Sequence, residues 1–106
     1  MKEDCDPTYG QVDDLLEVIT KSKSLHILLI LDRKNKPIRF TDIKKHVNAS
    51  STTVSRRLKE LEAHNLIIQV QQDRVNGSKF YTLSDDARGL SSIMQSLFDW
   101  VANKNQ

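Results

Sequence analysis

The sequence predicts a mainly α-helical fold with one small β-hairpin, an α+β arrangement in a single domain over residues 1–106. Three observations lead there. Apolar residues recur at three- and four-residue spacing along most of the chain, the mark of amphipathic helices. Beyond residue 65 the pattern changes to short β-branched runs. Between two such runs stands Asn76-Gly77, a strong signal for a tight two-residue hairpin turn. With only three Gly and two Pro, the connections are expected to be short.

The elements follow in order. Residues 1–7 read as an arm ending at Pro7. Thr8 with Gln11 three residues later forms a capping-box pattern, and Val12, Leu15, Leu16 and Ile19 then mark one helical face. This first helical region covers 8–23. Leu25 and the run Ile27 to Leu31 are apolar nearly all round, so a helix from Ser24 to Arg33 should be the buried centre. Ile38-Arg39-Phe40 reads as extended. Thr41 suits an N-cap for a short helix over 42–47, which Asn48, Ala49 and Ser50 interrupt. A longer helix from Ser51 to His64 turns Val54, Leu58 and Leu61 inward, and Asn65 suits a left-handed terminal position. Leu66 to Val70 and Phe80 to Leu83 are the strands. Ser84, Asp85 and Asp86 cap a last helix within 84–104, with the stripe Leu90, Ile93, Met94, Leu97, Phe98 and Val101 and with Trp100 beside it.

Charge points to function. Residues 1–20 hold one Lys against six acids, net −5, and residues 80–106 hold two basic residues against three acids, net −1. Residues 21–79 hold thirteen Lys or Arg against five acids, net +8. The middle of the chain is therefore the part suited to a polyanion. The longest apolar run is far short of the roughly 20 residues a membrane span needs, and no leader pattern opens the chain. A cytoplasmic protein without a membrane partner is expected.

Two helices joined by a three-residue turn and followed by a two-stranded ribbon suit duplex DNA. The second helix fits the major groove with its N-terminal outward residues at the base edges. Here those residues are Ser51, Thr52, Thr53, Ser55, Arg56 and Lys59. Short hydroxyl side chains allow close approach, and the planar fork of Arg56 can pair with guanine through two hydrogen bonds. Arg57 lies on the flank, suited to a phosphate or a carboxylate. Lys44 and Lys45 on the preceding helix can grip the DNA backbone, and Arg74 and Lys79 bracket the ribbon tip.

Several stretches resemble the HxlR family of winged helix-turn-helix transcriptional regulators, relatives of the MarR repressors. They are Arg39-Phe40-Thr41-Asp42-Ile43-Lys44, Ser55-Arg56-Arg57-Leu58-Lys59-Glu60-Leu61-Glu62, Asn65-Leu66-Ile67 and Tyr81-Thr82-Leu83-Ser84. Asn65 and Ala87 stand where the family has Gly, and Ser24-Leu25-His26 replaces its Gly-Lys-Trp. The resemblance implies a homodimer on a palindromic operator, paired through the first and last helices. Independently, the stripe on the last helix is wider than one small core needs. The expected contact residues are Val12, Leu16, Ile19, Leu90, Ile93, Met94, Leu97, Phe98 and Val101.

Other sites are weaker. Cys5 resembles the family's N-terminal cysteine and is the candidate redox thiol, although Glu3, Asp4 and Asp6 beside it disfavour the reactive thiolate. His26, His46 and His64 lack metal-ligand spacing, so neither a metal nor a cofactor is expected. No nucleophile, phosphate loop or paired carboxylates point to an enzyme. A small-molecule effector between the dimer helices has no polar cluster to mark it. The alternative function is a winged helix that docks another protein within a transcription or replication assembly.

Overall fold

A computed structural model describes residues 6–73 and 78–105. Helix α1 (Pro7–Ile19) is followed by α2 (Ser24–Lys34), strand β1 (Ile38–Arg39), α3 (Phe40–Val47) and α4 (Ser51–Ala63). Strands β2 (Ile67–Asp73) and β3 (Ser78–Leu83) come next, then a 3₁₀ turn over Ala87–Leu90 and α5 (Ser91–Lys104). Both strand pairings are antiparallel, in the order β1-β3-β2. The mainly helical fold with a small sheet is therefore as the sequence predicts.

The core forms where the apolar stripes meet. Ile27, Leu28 and Leu31 of α2 are buried with Ile43 and Val47 of α3 and with Val54, Leu58 and Leu61 of α4. Ile67, Tyr81 and Leu83 close it from the sheet, and Val18, Ala87 and Met94 from the ends. Deleting a buried Leu or Ile side chain from such a core costs about 2–5 kcal/mol.

Asparagine ends three of the helices. Asn35, Asn48 and Asn65 all take the left-handed conformation, at φ 49°, 51° and 60°. Asn65 does so in a Schellman arrangement: its N–H donates to the Glu62 carbonyl, and the Leu66 N–H donates to that of Leu61. Asn is the non-glycine residue best suited to that region, so the missing Gly leaves the helix end intact.

Three boundaries differ from the sequence expectation. Helix α1 starts at Pro7, and Asp6 caps it by accepting from the Thr8 N–H at 2.9 Å. Pro7 is therefore the first helical residue rather than the end of an arm, as its fixed φ permits. Helix α3 starts at Phe40, so Thr41 lies inside it and is not its cap. Ser84 caps the 3₁₀ turn rather than α5: its Oγ accepts from the Ala87 N–H at 3.0 Å and donates to the Asn65 carbonyl at 2.7 Å. The expected turn at Asn76-Gly77 lies outside the described residues.

Helix α5 is fixed to α2 by polar contacts. Ser91 Oγ donates to Asp32 at 3.0 Å, and the Arg33 guanidinium lies 4.2 Å above the Phe98 ring. No helix among the described residues is long and apolar enough to cross a membrane.

Candidate nucleic-acid interface

The turn from Asn48 to Ser50 delivers α4 with its first residues outward. Ser50 makes this possible, because its Oγ accepts from the Thr53 N–H at 3.1 Å and satisfies one otherwise open donor. Val54, Leu58 and Leu61 fill the core, and Ser51, Thr52, Arg56 and Lys59 are exposed on the opposite side. With half-buried Ser55 and Phe40, they line a shallow groove of about 580 Å³. Of the six sequence-derived residues on this helix, five are thus brought together.

The sixth, Thr53, is half-buried and its hydroxyl sits 3.1 Å from Ser50 Oγ. Its part is in the cap, not in the groove. Lys44 and Lys45 also lie outside the groove, in the last turn of α3, where their charges favour the helix C-terminal dipole. Lys44 is half-buried and Lys45 exposed.

Arg57 is held on the flank. Its Nε donates to the Ser22 carbonyl at 2.9 Å and its Nη1 to Glu60 at 2.8 Å, and Lys21 approaches the same carboxylate at 3.4 Å. Partial burial works against the Glu60 charge, but Arg57 and Lys21 prevail and hold its carboxyl below the usual value. These contacts tie α4 to the α1–α2 connection and set the angle at which α4 projects.

Lys79 is exposed at the start of β3, beside Arg39, Phe40 and Thr41. Arg39 and Phe40 were not among the sequence-derived site residues. Their position depends on β1 pairing with β3, Arg39 opposite Phe80, which no local pattern encodes. Arg74 and Cys5 lie outside the described residues.

The expected dimer residues divide. Val12, Leu16, Ile93, Leu97, Phe98 and Val101 are exposed, and so are Tyr9 of α1 and Trp100 of α5. Met94 is 3% exposed and belongs to the chain's own core, so it is corrected from contact to core residue. Its position on α5 turns it into the core rather than outward. Ile19 and Leu90 are half-buried and pack against that core. Between α1, α2 and α5 lies a hollow of about 600 Å³, with Leu16, Ile19, Leu25 and Leu97 beneath Lys23 and His26.

Two helices at a three-residue turn, the second presenting a basic groove and leading into a β-ribbon, define a winged helix-turn-helix. Solved structures share this fold: a HxlR-family transcription factor of Thermoplasma volcanium is 21% identical with a TM-score of 0.76, over 86% of this chain and 81% of that one. The chain belongs to the HxlR-like helix-turn-helix family, whose model matches residues 18–106. It is 33% identical over 81 residues to an HTH-type transcriptional regulator of Halalkalibacterium halodurans, BH0655, covering 74% of this chain and 72% of that one. The HTH-type transcriptional regulator ytcD, of known structure, is 30% identical with a TM-score of 0.79, over 90% of this chain and 97% of that one. The chain is thus a DNA-binding transcriptional regulator.

Proposed function

We propose that the chain is a sequence-specific repressor that binds a palindromic operator as a homodimer, residues 1–106 acting as one domain in the cytoplasm. The observation that carries this reading is the groove on α4. Arg56 and Lys59 stand exposed there among Ser51, Thr52 and Ser55, over a fully buried apolar stripe. Such a face enters a major groove without disturbing the core. Arg56 reads a base edge, the small hydroxyl residues permit close approach, and Lys44, Lys45, Arg74 and Lys79 hold phosphates.

The exposed apolar faces of α1 and α5, within residues 8–23 and 84–104, are covered by a second copy. A two-fold pairing there sets two recognition helices about 34 Å apart, one turn of DNA. Repression follows from occupying a promoter. The same apolar surface favours a second reading, in which these helices dock a different protein, since large exposed patches mark interaction sites.

Fluorescence anisotropy separates the two. The probes are the duplex upstream of the chain's own gene and an unrelated duplex, each over a salt series. The regulator reading expects a preference of about 10³-fold and a log–log salt slope near −0.9 per phosphate neutralised. Weak binding to both duplexes, flat in salt, would overturn it in favour of the docking module.

A further inference from the structure

We infer that Arg39, Lys79 and the first turn of α3 form a seat for one backbone phosphate of duplex DNA, separate from the base-reading face of α4. The inference rests on the DNA-binding reading above.

The seat is assembled by the sheet. β1 pairs with β3 so that Arg39 lies opposite Phe80, which brings Lys79, the neighbour of Phe80, to the edge of the same hollow. Arg39, Phe40, Thr41 and Lys79 line that hollow, about 260 Å³ in volume. Arg39 and Lys79 are both exposed. The Arg39 guanidinium lies over the Phe80 ring, 5.9 Å from its centre. A cation held over an aromatic face keeps its outward N–H groups available, and less side-chain freedom is lost when an anion arrives.

The backbone adds donors. Arg39 is the N-terminal flanking residue of α3, with φ −73° and ψ 153°, and no side chain caps this helix. The first N–H groups of α3 therefore lack the side-chain acceptor that Ser50 supplies to α4. A helix start of this kind favours an anion, and here it coincides with two exposed cations. Asp42 is exposed in the same turn but does not line the hollow.

Continuity identifies the ligand. Phe40 lines both this hollow and the α4 groove, so an anion seated here abuts whatever lies against Ser51 and Arg56. A phosphodiester flanking the bases read by α4 meets that condition. The seat fixes the register between α4 and the β2–β3 ribbon without reading sequence.

The test uses Arg39→Ala, Arg39→Lys and Lys79→Ala in the full chain, with anisotropy on the upstream and the unrelated duplex over a salt series. Arg39→Ala and Lys79→Ala should each weaken both duplexes by the same factor, about tenfold, and leave their ratio unchanged. The salt slope should become shallower by about 0.9, the loss of one phosphate contact. Arg39→Lys should keep the slope and lose part of the affinity, because an ammonium lacks the guanidinium fork. Circular dichroism checks folding; should Arg39→Ala fail to fold, Arg39→Lys and Lys79→Ala carry the test.

Wild-type affinity and slope in folded Arg39→Ala would overturn the seat and leave the regulator reading standing. A changed preference between duplexes at unchanged slope would also overturn it, since Arg39 would then read bases. Inorganic phosphate that displaces DNA saturably, beyond chloride at equal ionic strength, would reassign the hollow to free phosphate. Salt-insensitive binding by the unaltered chain would overturn the regulator reading and the seat together.

Discussion

The outward face of α4 and the outward faces of α1 and α5 are both exposed, yet they are built from opposite residues. On α4 the apolar positions Val54, Leu58 and Leu61 are fully consumed by the core, and what faces outward is Ser51, Thr52, Arg56 and Lys59. On α5 only Met94 is fully inside, while Ile93 is 63% and Trp100 61% exposed. Helix α4 has completed its hydrophobic burial within the single chain. Helix α5 has not. Exposed apolar area forgoes roughly 25 cal/mol per Å² of burial, so the many exposed apolar side chains on α1 and α5 call for a cover, whereas a basic polar face is stable in water. One surface is suited to an ion-rich, hydrated partner and the other to a dry one.

The largest effect expected breaks the apolar side. Leu97→Glu places a charge in the middle of the exposed α5 surface, where burial against a second copy would leave it unpaired. The dimer should dissociate in analytical ultracentrifugation. Affinity for a palindromic site should fall by about 10²–10⁴, the gain that linking two binding units provides. The fold should survive, because Leu97 is half exposed in the protomer. A monomeric parent protein, or a variant that dimerises unchanged, would count against the α1–α5 interface.

The next effect belongs to the polar side. Arg56→Ala should cost about 1–3 kcal/mol of operator affinity and narrow the gap to unrelated DNA, with the dimer intact. Lys44→Ala should weaken all sequences about equally and leave that gap alone. If Arg56→Ala changed neither affinity nor preference, the outward orientation assigned to α4 would have no part in recognition.

How much of this was legible beforehand follows from what each signal depends on. The α4 face was legible because the core stripe Val54, Leu58, Leu61 has a regular period, and its complement is the outward set. Asn65 was legible as a helix end because the left-handed region admits few residue types. Arg39 was not, since its place beside Lys79 arises from a strand pairing between distant segments. Thr53 resembles its neighbours in sequence, and its half-buried side chain beside Ser50 Oγ sets it apart from the groove. The α5 stripe is one uniform pattern in sequence, yet helical geometry divides it between the core at Met94 and a remainder that is partly or fully exposed.

The smallest effect sharpens the comparison from the apolar side. His26 lies on α2 in the hollow lined by Leu16 and Leu97 of the apolar surface, while Lys23 and His46 act on its charge. Partial loss of water around the exposed imidazole first, then its neighbours Lys23 and His46, lower its affinity for a proton below the ordinary value of 6.5. The sign follows from linkage. As the pH falls through 6.5 the unfolded chain takes up the proton before the folded one, so unfolding is favoured. The stability tied to neutral His26 is therefore fully present above that value and is lost below it. Glu60 acts in the same direction at lower pH, its lowered value making its contribution fade as the pH falls below 4.5. Thermal midpoints taken from about pH 8 to about pH 5.5 should decline in the parent protein, and His26→Gln should flatten that decline. An unchanged slope in His26→Gln would mean that the imidazole gains its proton as readily in the fold as outside it, and that the hollow between α1, α2 and α5 is wetter than its apolar walls imply.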